Sequence, residues 1–283
     1  ISNNFCKFIF DRFGFYPKNH PHYKSKVFQW DITKDSIRIP GGNIVTKWLK
    51  EHDLWGDKAK TKHIPEWFMM SADELSIREL IQGLFETDGS ISIGISGQSI
   101  SYSTTSIYLA NQLIYLLAKL GIMSFLDDGY FSDKATTNCY KIKISSSEEK
   151  IKFIEKIKLD GYKGNKLKEL FISNRQSFSA NVFGRETTLS MNKDLKNKRK
   201  IQIHGKRRLT RRGLINILNN CEEQFKMKYK WLVSDNIYWD KIKSINSLGV
   251  TDIFDRQVPG TNNFVINGII VHNCAEILLP AKG

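Results

Sequence analysis

The sequence predicts an α+β fold: tandem units of helix, two strands, helix, two strands and helix (αββαββα), the first of them truncated, with a short all-β segment after them. Three observations predict it. Across residues 71–159 the apolar spacing switches from helical to strand-like and back, twice. The same order, with the same glycine punctuation, can be followed in residues 4–62. From Trp239 onward, short β-type runs separated by Pro259-Gly260 and Asn267-Gly268 replace the helical pattern.

Taken in order, residues 4–13 form an apolar helix closing at Gly14. Residues 27–32 and 36–39 are strand-like, 44–52 is helical, and a lysine-bearing loop, 58–62, leads into Ile64-Pro65. The clearest helix is predicted to begin at Ser71, which makes a capping-box pattern with Glu74. Ile77, Leu80, Ile81, Leu84 and Phe85 follow at helical spacing until Asp88-Gly89. Residues 90–105 then alternate polar and apolar. A helix over 107–120 ends at Gly121, a strand pair includes Tyr140-Lys141-Ile142-Lys143-Ile144, and a helix over 148–159 leads into the basic stretch 163–168. Lys62 stands 48 residues after Gly14, and Lys166 stands 45 after Gly121, so the two units share a register. Gly89 precedes Gly121 by 32 residues. The same offset from Gly14 falls before residue 1, and the first unit's opening helix is expected to lie outside this chain.

The 283 residues are enough for two modest domains, and a hydrophobic fraction of 41% allows a packed core. No apolar run reaches the ~18 residues of a membrane span, and no signal peptide follows Ile1, so a cytoplasmic protein without a membrane partner is expected. Starting at Ile rather than Met, the chain reads as a fragment or a processed product. The net charge of +14 favours a polyanionic partner, although solvated lysine-rich helix faces give the same number. Cys6, Cys139, Cys221 and Cys274 have no zinc-type spacing and read as reduced thiols, the first three inert.

The segment Ile81-Gln82-Gly83-Leu84-Phe85-Glu86-Thr87-Asp88-Gly89 breaks two helix rules. Gly83 lies mid-helix, at about 1 kcal/mol relative to alanine. Glu86 and Asp88 lie at the negative end of the helix dipole. A glycine there makes sense if another helix comes very close, and the acids make sense if a cation offsets them. On Gly83, Leu84, Asp88 and Gly89 this segment resembles the LAGLIDADG homing endonuclease family. The resemblance implies paired helices whose terminal carboxylates hold a divalent metal, Mg2+, over the scissile phosphates of double-stranded DNA. It also implies strand saddles lying in the major groove. Asp88 would be the metal ligand, its partner belonging to the absent first helix. Lys62-His63-Ile64-Pro65 resembles the family's Lys-x-Ile-Pro element, whose lysine stabilises charge near the cleaved phosphate. Lys166 or Lys163 is its counterpart in the second unit, and the spacing leaves that choice open.

The run Gly268-Ile269-Ile270-Val271-His272-Asn273-Cys274 has a chemistry of its own. An asparagine amide can close on its own main-chain carbonyl, a neighbouring histidine can assist, and a cysteine on the leaving side can accept an acyl group. Four β-type runs are read around it: 241–245, 251–258, 263–266 and 269–271. With Trp239-Asp240-Lys241-Ile242, Ile253-Phe254-Asp255-Arg256-Gln257-Val258-Pro259-Gly260 and Asn263-Phe264, the tripeptide resembles the C-terminal splicing blocks of inteins, whose all-β domain is the Hint fold. The resemblance implies that Asp255 assists branch formation, His272 assists cyclisation of Asn273, and Cys274 is the first host residue. Where inteins usually carry His-Asn-Phe, this chain has Asn262-Asn263-Phe264, so cyclisation is expected either to be slower or to lean more heavily on His272. The upstream half of the splicing domain, in cis or in trans, is an implied partner.

After Asn273, residues 274–283 resemble the Asn-Leu-Cys-x-Glu-Ile-x-Leu-Pro-x-Lys stretch of the ribonucleotide reductase large subunit. There Cys274 would be the radical-forming cysteine and Glu276 the general base. The expected organisation is therefore a first-unit remnant (1–66), a second unit (67–170), a basic connector with room for DNA contacts (171–235), a C-terminal Hint segment (236–273) and the start of the host sequence (274–283). Its helix at about 210–220 belongs to the connector. Rival readings are a DNA-binding protein of the same fold that does not cut, an inactive splicing remnant, and a plain reductase segment.

Overall fold

The computed structural model describes residues 2–14, 16, 18–19, 30–31, 43–94, 97–127, 138–170, 183–195, 209–234, 237–239, 242, 244–247, 249–250, 252, 256, 258–266 and 269–272. It divides into two units, Ile1–Ile237 and Tyr238–Gly283. The first opens with α1 (Ser2–Phe13), the two-residue antiparallel pair β1 (Lys18–Asn19) and β2 (Trp30–Asp31), and α2 (Ile44–Glu51). The predicted strand at 36–39 lies outside the described residues. Phe8 and Phe13 of α1 meet Trp48 of α2 edge-on, with ring centroids 6.1 and 5.9 Å apart.

A short helix α3 (Glu66–Ser71) follows Pro65, and α4 (Glu74–Thr87) follows that. The capping box at Ser71 is not what starts α4. Ser71 closes α3, with its hydroxyl donating to the Trp67 carbonyl at 2.6 Å. Asp73 is the cap instead, accepting from the Ser76 amide at 2.8 Å. That bond holds the Asp73 carboxyl below its ordinary range. The sequence pattern fits either residue; α3, nucleated behind Pro65, decides between them.

β3 (Gly89–Gly94) and β4 (Gly97–Thr104) leave α4 as an antiparallel hairpin, followed by α5 (Ile107–Lys119), β5 (Phe125–Asp127), β6 (Tyr140–Ile144), α6 (Ser147–Lys156) and α7 (Gly161–Glu169). The four strands form one antiparallel sheet in the order β3-β4-β6-β5. Its inner face carries Ile91, Ile100, Tyr102, Ile142 and Ile144. Onto it pack Ile77, Ile81 and Phe85 of α4 and Leu113, Leu116 and Leu117 of α5, each set at helical spacing. The ring of Phe85 is central, 5.6 Å from Tyr102 and 4.9 Å from Phe153. The predicted αββαββα unit is therefore complete over α4–α6. Gly14 and Gly121 end α1 and α5 in the same left-handed conformation, at φ 76° and 72°, consistent with the two-unit register.

Residues 163–168, read as a basic stretch, lie within α7. Over its described residues the segment read as a connector folds into α8 (Arg185–Asp194), α9 (Arg211–Leu218), α10 (Glu223–Tyr229) and a 3-10 turn, Lys230–Val233. Thr188, Met191, Leu195, Leu214, Leu218, Phe225, Tyr229 and Leu232 are buried there. Asp194 of α8 accepts from Lys228 (2.6 Å) and Tyr229 (2.5 Å) of α10, which ties the helices together.

In the second unit β7 (Asn263–Ile266) and β8 (Ile269–His272) form the hairpin expected around Asn267-Gly268. The β-type run predicted at 241–245 is not a strand at its described residues, 242, 244 and 245. Ile242 and Ile245 are instead 73% and 87% exposed, so β-branched composition there has no paired neighbour to turn it into a strand. No helix among the described residues is long and apolar enough to cross a membrane.

Candidate nucleic-acid interface and cleavage site

The outer face of the four-stranded sheet is built by register. Ser90 pairs with Ser101, which pairs with Lys143; Ser92 pairs with Ser99; Ser103 pairs with Lys141. Alternation therefore places five serines and two lysines opposite the apolar inner face; Ser101, at the centre, is buried, and Ser90, Ser92, Ser99 and Ser103 with the two lysines form the accessible part of this outer face. Short hydroxyl side chains keep the sheet surface low and offer both donors and acceptors, and the lysines add charge, with Lys143 paired to Asp127. Such a face suits base edges and phosphates better than another apolar layer.

Asp88 stands where α4 hands over to β3. It is the C-cap residue of α4, its amide donating to Leu84 O at 3.0 Å, and its side chain is exposed. Gly89 makes the corner possible. A Cβ at this position would lie 2.4 Å from Phe85 O and 2.7 Å from Phe85 Cα, so only glycine lets the strand leave the helix so abruptly. Gly89 pairs with Tyr102 of β4. Burial, reinforced by the Asp88 charge, pushes the Tyr102 phenol up to about 12, so it keeps its proton throughout the neutral range.

Lys163 and Lys166 occupy different surroundings. Lys163 reaches the end of α4, donating to Phe85 O at 3.0 Å and Thr87 O at 2.8 Å. Burial lowers its pKa, against the pull of Asp88 and Glu86. Lys166 lies over the Tyr162 ring at 5.0 Å from the centroid. The sequence reading assigned the acids at this negative pole to metal alone; the fold places an ammonium there as well. Glu86 anchors the arrangement, accepting from Gln82 and from the Asp160 amide, both at 3.1 Å, so the start of α7 is docked on α4. The anchoring role of Glu86 has no signal in the sequence, because its partner at the start of α7, the Asp160 amide, is brought there by tertiary packing.

Lys62 is exposed, and its main chain is fastened from across the unit. Ser106 Oγ donates to Lys62 O at 2.6 Å, and Thr105 Oγ1 to Ala59 O at 2.9 Å. Gln112 of α5 clasps Ile64, accepting from its amide at 2.7 Å and donating to its carbonyl at 2.8 Å. His63 lies between Asp53 and Asp57, 2.9 Å from a carboxylate oxygen of each. Because Gly89 pairs with Tyr102, and Ser106 follows four residues on, the Lys62 anchor lies at the same end of the sheet as Asp88.

Asp88 fits a hard divalent cation in donor type and in its place at a helix's negative pole, but one carboxylate does not make a cage. Among the described residues no three His, Cys, Asp or Glu side chains come together as a metal cluster. The face of α4 that carries Gly83 is open: a Cβ there would meet nothing within 4 Å, so no described helix fills the close approach the glycine predicted.

At the C-terminal end of the described residues, His272 ends β8 directly opposite Asn263 of β7. Asn262, at the position where inteins usually carry histidine, has φ 54° and donates its amide to Val258 O at 3.1 Å. Asp255, Asn273, Cys274 and Glu276 lie outside the described residues.

Comparison with known proteins gives the class first. Residues 76–158 match the family described as LAGLIDADG-like domain, so α4 to α6 is a domain of the homing-endonuclease type. Beyond that domain, the chain is 30% identical to the replicative DNA helicase DnaB of Nostoc sp. (strain PCC 7120) over 255 residues, 83% of this chain and 29% of that protein. It is 26% identical to DnaB of Rhodothermus marinus over 256 residues, 83% of this chain and 27% of that protein. It is 23% identical to RecA of Mycobacterium tuberculosis over 279 residues, 85% of this chain and 35% of that protein. The chain thus spans only about a third of the length of these relatives.

Proposed function

We propose that this chain is the C-terminal part of an intein carrying a LAGLIDADG endonuclease that cuts double-stranded DNA. The observation that carries the nuclease half is the corner at Asp88: an exposed carboxylate on a glycine-enforced turn, with Lys163 on the same helix end and a serine- and lysine-lined sheet face leading away from it. Asp88 would hold Mg2+ together with phosphate oxygens and a second carboxylate from the upstream helix, which would pack against the open Gly83 face. The bound metal would supply Lewis acidity and an activated water. Lys163 and Lys62 offset the charge gathering on the phosphate.

What supports an insert is the pattern of relatives. A segment shared by proteins with names as different as DnaB and RecA, over only about a third of each, behaves as a unit that moves between hosts. The chemistry of His272-Asn273-Cys274 then assigns the exit: Asn273 cyclises, His272 assists, Asp255 supports branch formation, and the host resumes at Cys274. By resemblance that host is a ribonucleotide reductase large subunit, in which Cys274 and Glu276 return to catalytic duty. The exposed Ile242, Ile245 and Val250 of the second unit suit burial by the upstream half of the splicing domain.

The deciding experiment for the nuclease is Asp88→Asn in protein reconstituted with its upstream part. Mg2+-dependent nicking of a plasmid carrying the uninterrupted host site should disappear, with duplex affinity within about threefold of wild type. Wild-type protein that binds this DNA without ever cutting it would leave a binding module of the same fold as the answer.

A further inference from the structure

We propose that the loop 53–62 is a clamp for the DNA backbone beside the cut, with Lys58 and Lys60 gripping phosphates next to the one that Lys62 serves. The inference rests on the DNA-directed reading of the Asp88 corner. It adds a binding site on a segment which that reading uses only through Lys62.

The loop keeps its path without a core of its own. Every residue from Asp53 to Lys62 is exposed, so no buried side chain fixes it. Segments of that kind ordinarily open easily. Hydrogen bonds hold this one instead. The amides of Thr61 and Lys62 donate to Lys58 O at 2.9 and 3.0 Å, and the Lys58 amide donates to Thr61 Oγ1 at 3.0 Å, which closes a tight turn. Thr105 Oγ1 then donates to Ala59 O and Ser106 Oγ to Lys62 O, so both ends of the turn are tied to the entry of α5.

What the turn leaves uncommitted is its ammonium groups. Lys58, Lys60 and Lys62 are exposed, and none of them makes an ion pair with another described residue. The loop's two acids are used elsewhere. Asp53 and Asp57 both turn to His63, each 2.9 Å from one ring nitrogen. The Asp53 bond raises the His63 pKa, which favours the imidazolium that serves both carboxylates. Three lysines within five residues therefore stand together on a held turn, where they repel one another and cannot spread apart. A ligand rich in negative charge relieves that repulsion, and the fixed turn lowers the ordering cost of binding it.

Position names the ligand. Ser106 follows Tyr102 by four residues and Tyr102 pairs with Gly89, so the turn stands at the end of the sheet that carries Asp88. A duplex laid along the serine- and lysine-bearing face, with its scissile phosphate at Asp88, runs past the turn at that end. Lysine suits neighbouring phosphates, since its ammonium is a point charge with three donors on a flexible stem. Contacts of this kind set register on the duplex and read no sequence.

The test measures affinity of the full chain for a fluorescent duplex carrying the uninterrupted host site, across a salt series. Cleavage is followed in protein reconstituted with its upstream part. Lys58→Gln with Lys60→Gln, leaving Lys62 intact, should weaken binding about tenfold near 0.1 M salt. The slope of log K against log salt should become shallower by about two, since each lost phosphate contact removes about 0.9. Cleavage at saturating DNA should stay within about threefold of wild type, because these lysines hold backbone and not the reacting groups. Lys58→Arg with Lys60→Arg should keep wild-type affinity and slope, which separates charge from folding. Lys7→Gln with Lys119→Gln, an equal loss of charge at exposed positions of α1 and α5, should leave the slope near wild type. Should the loop variant match this control or keep wild-type affinity, the clamp is refuted while the Asp88 reading stands. A loss confined to the cleavage rate at saturating DNA refutes it as well. Wild-type protein with no affinity for this duplex overturns the DNA-directed reading first.

Discussion

Lys163 and Lys166 are three residues apart on α7, yet only Lys163 reaches the α4 terminus, where two carbonyls hold its ammonium at 3.0 and 2.8 Å. Lys163→Met should therefore slow cleavage by about 100-fold or more, the scale on which a preorganised charge at a reacting centre acts, while Lys166→Met stays within about threefold. Rates of supercoiled-plasmid nicking decide it, and the reverse order would remove Lys163 from the site. Gly89 yields a stability prediction of similar locality. A methyl group 2.4 Å from a carbonyl oxygen cannot be absorbed by a side-chain rotation, so Gly89→Ala must open the corner between α4 and β3. The expected loss is about 3 kcal/mol, at the upper end of ordinary overpacking, seen as a lower urea midpoint with unchanged slope. A midpoint within error of wild type would mean the turn is looser than its geometry implies.

At the scale of elements, the loop before α3 depends on one titrating group. The hydrogen bond from His63 to Asp53 chiefly raises the His63 pKa above its ordinary 6.5, with Asp57 adding to it. A raised folded pKa means the bridge contributes fully below pH 6.5 and is lost as pH climbs through the folded value. Hydrogen exchange at the Ile64 amide, corrected for intrinsic rate, should show protection falling through that window, and His63→Gln should flatten the dependence. An equally steep profile in the variant would place the titration elsewhere. How much of this was legible in the sequence differs by element. The period switches gave α4, β3, β4 and α5, because each buries one face and burial imposes spacing. The cap at Asp73 was hidden because Ser71 offers an equally valid local pattern and only the competing helix α3 excludes it. α7 was hidden because its residues, Gly161-Tyr162-Lys163-Gly164, have poor helix propensity and are held by tertiary contacts to Glu86 and the α4 terminus. Gly161, at φ 58°, was the available clue to a special geometry there. Asp88 was legible because it violates a helix rule.

At the scale of the whole molecule, two activities would share one chain while drawing on different parts of it. The corner proposed for cleavage belongs to Ile1–Ile237 and the proposed splice junction to Tyr238–Gly283, so each should be removable without the other. The β7–β8 hairpin fixes His272 opposite Asn263, and its strand residues Val265, Ile266, Ile269 and Ile270 are all roughly half exposed or more, a state that favours completion by further strands. In a precursor containing the upstream half, intact mass should therefore reveal a ligated host protein lacking the insert. Asn273→Ala should abolish scission before Cys274, because the cyclising carboxamide is gone. His272→Ala should slow scission by about 100-fold, as loss of a general acid–base partner does, with the missing histidine at Asn262 leaving little to compensate. Asp88→Asn should splice at the wild-type rate. Restoring His at position 262 should speed the wild-type reaction; if it does not, Asn262 is not the reason for any slowness at this junction. Release of a Cys274-terminated product from the Asn273→Ala precursor would mean that the bond is broken by some other chemistry.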